Sequence, residues 1–463
     1  MSGFKRSRRS LQTTGAGAGA ALVVAALALT TATNTVTPAT AAPATVRPIP
    51  ELAGHLLTTT FTKPQTTTQC EQNPDLQVAC YSPLQYHVAY DLNPLYAAGI
   101  TGAGRTIVIV DAFGSPTVQA DLNIFDKQWH LPNTTVDVVK FGKVPAFDPK
   151  NSTMVDWAGE TSLDVQYAHA IAPGARIVLA ETPVDESEGV SGLPQMMNAE
   201  KYLIDHGVGD VISQSFGATE NTFPGFADGA HSSLLRLRYA FQDAAAHRVT
   251  VLAGSGDLGA AGYELDAGTL YPYPVNTWPS SDPLVTSVGG TRLDLDDAGN
   301  RLSPDVVWSA VYGASGGGLS QVFTRPAYQN SVKSVVGARR GTPDVSMSGA
   351  VDGGAWVYLG FPGGGGWNIA GGTSESTPIM AGVVALADQA AGRRLGLINP
   401  ALYALSTAAG PSAARAGIVD VTSGDNSLVG VTGYSAGPGY DLASGVGTID
   451  ANEFVHALAA TAR

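Results

Sequence analysis

Few residues of this chain carry charge. Asp, Glu, Lys and Arg make up 14% of its 463 residues, with 39 acids against 26 bases. The net charge of −13 argues against binding nucleic acid or an anionic membrane surface. Cysteine occurs only twice, at Cys70 and Cys80, a spacing that excludes a CxxC metal or redox site. No cluster of histidine and cysteine exists, so nothing fits zinc. One apolar run stands out, Ala16 to Leu29, and it is too short for a membrane span. No other segment has the character of a span, so no membrane anchor is expected. No internal repeat or long low-complexity block follows residue 69.

Apolar side chains and glycine are abundant instead. The chain is 44% hydrophobic, enough for a large core and one or two domains. Its 55 glycines show no collagen period and suit the short loops of a tightly wound α/β fold. Residues 1–41 have the pattern of a signal peptide. Lys5, Arg6, Arg8 and Arg9 precede the apolar run, and Ala39-Thr40-Ala41 fits a cleavage site before Ala42. Ser7-Arg8-Arg9-Ser10-Leu11 hints at twin-arginine export. Removing those four cations takes the mature chain from −13 to −17. Such a surface suits a secreted, extracellular protein working in acid, where many carboxylates are partly neutralised; simple solubility accounts for it equally well. Residues 42–81 read as a Pro/Thr-rich leader ending in a cysteine-bounded extension. In an exported chain, a local Cys70–Cys80 disulfide is expected.

Residues 82–463 read as the main domain, and the α/β pattern begins at Gly102. Arg105 to Val110 reads as a buried strand, followed by a helix over Val118–Trp129 and a strand over Thr135–Phe141. Helical spacing returns at Asp156–Ala170 and stops at Pro173-Gly174. Ala175–Ala180, Val211–Ser215 and Val249–Ala253 read as strands, separated by helices over Leu193–His206 and Ser232–His247. Leu284–Val288, Val306–Trp308 and Trp356–Leu359 read as further short strands. Alternation at this length implies a doubly wound parallel sheet with helices on both faces.

Four groups of residues could carry chemistry. Gly371-Gly372-Thr373-Ser374-Glu375-Ser376-Thr377-Pro378 joins a glycine-rich loop to an apolar helical run, Ile379–Ala391. A serine there has backbone N–H groups and the positive end of a helix dipole beside it. Ser374 can be a nucleophile, or Ser374 or Thr373 can simply cap the helix, with Pro378 at an early helical position. Glu160 and Asp164 are four apart, so a helix puts both on one face, where one carboxyl keeps a raised pKa and can act as a base in acid. A solvated face is the alternative, but Trp157, Ala158, Gly159, Leu163 and Val165 are apolar or small. Asp257 lies just past the strand Val249–Ala253, and a protonated Asp can donate to an oxyanion or merely close a turn. Asp420, Val421, Gly437, Gly439 and Asp441 offer two carboxylates and glycine-turn carbonyls, a set suited to Ca²⁺ or to a metal-free turn pair. No histidine sits at a glycine-flanked helix start, and His169 lies about two and a half turns beyond Glu160. A triad built on Asp111 is therefore incomplete.

Together these segments resemble the sedolisins, the serine-carboxyl peptidases, over about residues 82–460. The matching motifs are Gly371-Gly372-Thr373-Ser374 with Pro378, Glu160-Thr161-Ser162-Leu163-Asp164, Ser255-Gly256-Asp257-Leu258-Gly259, and Asp420-Val421 with Gly437, Gly439 and Asp441. Ser213-Gln214-Ser215-Phe216-Gly217 resembles the family's substrate-binding strand. The resemblance implies a subtilisin-like fold and endopeptidase activity on proteins or peptides in acid. It implies that Ser374 attacks the scissile carbonyl, that Glu160 moves the proton, and that Asp164 orients Glu160. Asp257 and the Ser374 N–H would hold the oxyanion, and one calcium ion would bind at the Asp420–Asp441 site.

The expectation is a secreted, monomeric, bacterial-type member. Residues 42 to about 81 leave no room for a full-length pro-domain. Glu375 is a departure, since the family often has a small residue after the nucleophile. It either alters the site or points into solvent, where an acid at a helix start is favourable. Two alternatives stand beside the peptidase reading: a catalytically silent binding protein on the same scaffold, and a neutral subtilisin-type peptidase using Asp111.

Overall fold

The computed structural model describes residues 61–461, apart from 75, 267, 312 and 407–415. The expected signal peptide and residues 42–60 of the leader lie outside these.

The central sheet starts in its own middle. Thr106–Ala112 pairs residue for residue with Arg176–Thr182 on one side and with Val211–Gln214 on the other, both parallel. Outward from the first neighbour lies Val136–Lys140; outward from the second lie Thr250–Gly254 and Thr286–Arg292. Val345–Ser348 pairs parallel with Thr286–Arg292, and the short Val306–Val307 pairs antiparallel at its far end. The winding direction reverses beside Thr106–Ala112, and in such sheets sites form off the carboxyl ends of strands at that reversal.

The apolar run Ile107–Val110 is buried throughout, as a strand covered on both faces must be. Ile107 and Ile109 belong to one core; Val108, Val110 and Ala112 belong to the other. Helices Ser152–Ile171 and Thr373–Ala391 contribute to the first core, and helices Leu193–Asp205 and Tyr239–His247 to the second. The expected subtilisin-like, doubly wound sheet is thus present.

Some element limits differ from the sequence expectation. The helix expected from Asp156 starts at Ser152, because the Asn151 side chain accepts from Met154 N and caps it there. The helix expected over Ser232–His247 is three pieces: Ser232–Leu235, a 3₁₀ turn at Arg236–Arg238, and Tyr239–His247. Residues 61–81 are tied to the core. Phe61 and Trp367 exchange backbone hydrogen bonds, and Cys80–Tyr81 pairs parallel with Gly354–Ala355. The Cys70–Cys80 disulfide forms as expected.

Candidate active site

The helix Thr373–Ala391, the serine helix, is buried all round from Thr373 to Asp388, which explains its unbroken run of apolar and small residues. It is entered through Gly372 at φ 100°, a value that favours glycine. The Gly372 N–H donates to Gly349 O at 2.6 Å. No side chain caps this helix start. Ser374 is its second residue, fully buried, and its Oγ has no hydrogen-bond partner among the described residues. A capping serine would bond a backbone N–H of its own helix; this hydroxyl does not. Pro378 lies inside the helix rather than at its first position, and so offers no N–H to the Ser374 carbonyl.

The helix Ser152–Ile171, the carboxylate helix, packs along the serine helix. A Cβ on Gly382 would stand 2.6 Å from Ile171 Cβ, and Glu375 acts electrostatically on Tyr167. These contacts come in the same order along both helices, so the two run in the same direction. Stepping back from Gly382 and Ile171 brings Ser374 level with the turns that carry Asp164 and Glu160. Both carboxylates are completely buried, so theirs is not a solvated face. Asp164 Oδ1 accepts from Ser215 Oγ at 3.0 Å.

Asp257 approaches from the other side, off the end of Thr250–Gly254. Its Oδ1 accepts from Thr373 N at 2.7 Å and from Thr373 Oγ1 at 2.9 Å. Its Oδ2 faces the space beside Gly372. A Cβ on that glycine would stand 2.6 Å from Oδ2 and 3.6 Å from the Ser374 nitrogen. The Asp257 carboxyl and the Ser374 N–H therefore border one space beside Gly372. That arrangement can hold a developing oxyanion.

Of the expected substrate-binding segment Ser213, Gln214, Ser215, Phe216 and Gly217, Ser215 meets a candidate carboxylate, Asp164. Gln214 Nε2 donates to the buried Glu200 on the helix Leu193–Asp205, and Phe216 packs in the second core. The strand itself ends at Gln214; a Cβ on Gly217 would meet Thr277 Cγ2 at 2.4 Å, and the next two residues, Ala218–Thr219, pair antiparallel with Thr277–Trp278.

His169 does not serve this site. Its Nε2 lies 2.8 Å from Pro132 O and 3.3 Å from Asp126 Oδ1. Asp111 is fully buried; burial pushes its carboxyl up to about 7, helped by Glu181 and opposed by the Thr161 hydroxyl. Its neighbour is thus the carboxylate helix, not a histidine.

Asp420 and Asp441 meet around one glycine turn. Gly439 N donates to Asp420 Oδ2 at 2.8 Å and Gly437 N to Asp441 Oδ2 at 2.9 Å. Ser444 Oγ links Asp441 Oδ1, at 3.0 Å, to the Val421 carbonyl, at 3.4 Å. Burial raises the Asp441 carboxyl, with Gly437, Ser444 and Ala443 opposing. Only two carboxylates take part, and among the described residues no group of three or more His, Cys, Asp or Glu is placed to hold a metal. The all-oxygen set nonetheless fits a hard cation such as Ca²⁺, with carbonyls completing it.

Residues 151–417, which include Ser374, Glu160, Asp164 and Asp257, match the model of the subtilase family. The chain belongs to the subtilase family, in its sedolisin branch. The chain is 30% identical over 379 residues to kumamolisin from Bacillus sp. (strain MN-32), covering 80% of this chain and 62% of that one. It is 31% identical over 381 residues to sedolisin from Pseudomonas sp. (strain 101), covering 80% and 60%. It is 29% identical over 319 residues to tripeptidyl-peptidase 1 of Homo sapiens, covering 62% and 50%. The chain thus spans about three fifths of the length of kumamolisin and sedolisin. The solved structure of Pseudomonas sedolisin (serine-carboxyl proteinase), complexed with two molecules of pseudo-iodotyrostatin, superposes with a TM-score of 0.69 at 28% identity. The match covers 83% of this sedolisin and all of that chain.

Three contacts around the site carry no sequence signal. Thr373 anchors Asp257 across 116 positions, Glu200 sits beneath Gln214, and Tyr86 meets Glu375 from 289 positions away. Glu375 does not point into solvent: it is fully buried.

Proposed function

We propose that this sedolisin is a secreted serine-carboxyl endopeptidase that hydrolyses peptide bonds of proteins or peptides in acid. The observation that carries the proposal is a buried, unpartnered Ser374 hydroxyl set between the Glu160–Asp164 helix and the Asp257 carboxyl.

Ser374 Oγ attacks the scissile carbonyl as Glu160 takes its proton, with Asp164 orienting Glu160. The carbonyl oxygen becomes an oxyanion, met by the Ser374 N–H and by a proton on Asp257 Oδ2; Oδ1 is already held by Thr373. Glu160 passes its proton to the leaving nitrogen, the C–N bond breaks, and an acyl-serine remains. Water then attacks the acyl group, Glu160 takes the water's proton, and its return to Ser374 Oγ releases the new carboxylic acid. A carboxyl base works where a histidine would already be protonated. The segment Ser213–Gly217, at and beyond the end of the strand Val211–Gln214, would lay substrate backbone alongside the site. Asp420, Val421, Gly437, Gly439 and Asp441 would hold one Ca²⁺, which when bound supplies structural cross-linking by charge and no step of the reaction.

Denatured protein incubated with enzyme in acid should be cut. Ser374→Ala and Glu160→Ala should each lose activity by roughly 10³-fold or more; equal cleavage by either variant overturns the proposal, as does failure to label Ser374 with an aldehyde-type probe. N-terminally blocked peptides decide the mode: an endopeptidase cuts them, whereas an enzyme acting as the human relative's name describes needs a free N-terminus. If the calcium site holds, a chelator lowers Tm in the wild type but leaves Asp441→Ala unmoved.

A further inference from the structure

Glu375 follows the serine directly and takes no part in the chemistry above. It is the third residue of the serine helix, where its backbone N–H donates to Gly372 O at 3.0 Å and closes the first turn. Its side chain leaves the site and enters a closed pocket. There its Oε1 accepts from Tyr86 Oη at 2.7 Å, and Tyr86 Oη also lies 3.2 Å from Ser348 Oγ. The pocket is lined by three elements. The helix Pro83–Ala89 supplies Tyr86 and, as its C-terminal cap, Tyr90, which accepts from Ser348 N at 2.7 Å. The carboxylate helix supplies Tyr167, whose ring centroid is 5.8 Å from that of Tyr86 and whose hydroxyl donates to Trp356 O at 3.0 Å. The strand Val345–Ser348 supplies Ser348. Tyr86, Tyr90, Tyr167 and Glu375 are all at most 1% exposed. None of the groups facing the carboxyl is a cation.

The same pocket touches every part that must be aligned. Glu375 is itself the residue that follows Ser374, Tyr167 lies one turn beyond Asp164 on the carboxylate helix, and Ser376 Oγ donates to Ser348 O at 2.7 Å. We propose that Glu375 is a positioning residue: through Tyr86 it locks the first turn of the serine helix to the helix Pro83–Ala89 and to the carboxylate helix, and so holds Ser374 opposite Glu160.

The lock works with Glu375 uncharged. Burial pushes its carboxyl up to about 8, against the opposing hydroxyls of Tyr86 and Ser348. In acid the group is a neutral hydrogen-bond partner inside a neutral pocket. Ionised, it would be a buried anion facing three tyrosines, each of which it already pushes toward the protonated form. Glutamine has the shape and neutrality of the working form; alanine has neither.

This inference rests on the peptidase reading only for its kinetic arm. At fixed acid pH, Glu375→Gln should keep kcat within about twofold of wild type. Glu375→Ala and Tyr86→Phe should lose kcat about tenfold or more with KM little changed, because the ground-state contacts of the substrate strand are untouched. The thermal arm needs no activity. From pH 5 to 8 the wild-type Tm should fall relative to that of Glu375→Gln, since the folded glutamate holds its proton and the unfolded one does not. Above pH 8 the two curves should run parallel. Equal kcat in wild type and Glu375→Ala, a kcat loss in Glu375→Gln as deep as in Glu375→Ala, or parallel melting curves from pH 5 to 8 each overturn the proposal. If Glu375→Ala does not fold, Tyr86→Phe and the Glu375→Gln melting curve still decide. A wild type that melts as described but cuts nothing would sink the peptidase reading and leave the lock standing.

Discussion

At the scale of the residue, the roles divide by which atom is already engaged. Asp257 has one oxygen fixed by Thr373 and the other turned to the space beside Gly372 and the Ser374 nitrogen. If Oδ2 stabilises the oxyanion, Asp257→Ala should lower kcat by about 10²–10³ with little effect on KM. Asp257→Asn keeps a donor and should lose less. Steady-state kinetics on one peptide in acid checks this, and a pure KM effect would assign Asp257 to ground-state binding instead. Ser374, Glu160, Asp164 and Asp257 were legible from sequence because each sits in a short motif whose neighbours carry the signal: glycines before the serine, apolar residues around the carboxylates, a strand before Asp257. Tyr86 and Thr373 were not, because what matters about them is a contact made across 289 and 116 positions. Glu375 was visible as an anomaly, but the choice between solvent and pocket depends on a helix nearly three hundred residues earlier.

At the scale of the element, the site is held by the contact between the serine helix and the carboxylate helix. At Gly382 they approach closely, with an added Cβ only 2.6 Å from Ile171 Cβ and 2.7 Å from its Cγ2. Helix propensity alone favours alanine there by about 1 kcal/mol. The clash opposes it by about 1–3 kcal/mol, and Ile171 is β-branched, so it cannot rotate out of the way. Gly382→Ala should therefore lower Tm and, by spreading the helices, lower kcat more than it raises KM. Melting and kinetics on the same preparation check both halves; a stabilised, fully active variant would show that the helices tolerate separation. The long helices and buried strands followed from periodicity, since the sheet covers both strand faces. Strands such as Val345–Ser348 and Gly366–Ala370 did not, because they are short and partly Ser- or Gly-containing, and are made into strands by their partners rather than by their own pattern. The 3₁₀ break at Arg236–Arg238 has no glycine or proline to announce it.

At the scale of the whole molecule, the distribution of buried acids sets the pH at which the fold is most stable. Burial raises Asp111, Glu188 and Asp388 to about 7 and Glu200 and Glu375 to about 8. In the unfolded chain these groups titrate near 4. Between about pH 4 and 8 the folded protein therefore binds more protons than the unfolded one, and stability must fall as pH rises through that window. The opposing groups, Asp205, Asp266, Asp296 and Asp425, have carboxyls lowered mainly by hydrogen bonds from Lys201, Thr269, Asn300 and Ser427 respectively. Their stabilisation is present above about pH 4 and lost below it, and contact with solvent screens it. The two sets together place the maximum of stability in mild acid, near pH 4–5, and not at neutrality. Calorimetry in calcium-free buffer from pH 3 to 9 should show Tm rising as pH is lowered from 8 to 5 and falling again below 4. Replacing Glu200 and Glu375 by glutamine should flatten the upper limb without moving the lower one. A Tm that climbs steadily from pH 5 to 8 would mean that these carboxyls ionise in the folded state at little cost. The excess of acidic residues read from the sequence hinted at an acid habitat, but it could equally have served solubility. The buried carboxyls are a stronger argument: Asp111, Glu188, Glu200, Glu375 and Asp388 are all pushed up by burial, so mild acid keeps these interior groups neutral and the fold at its most stable.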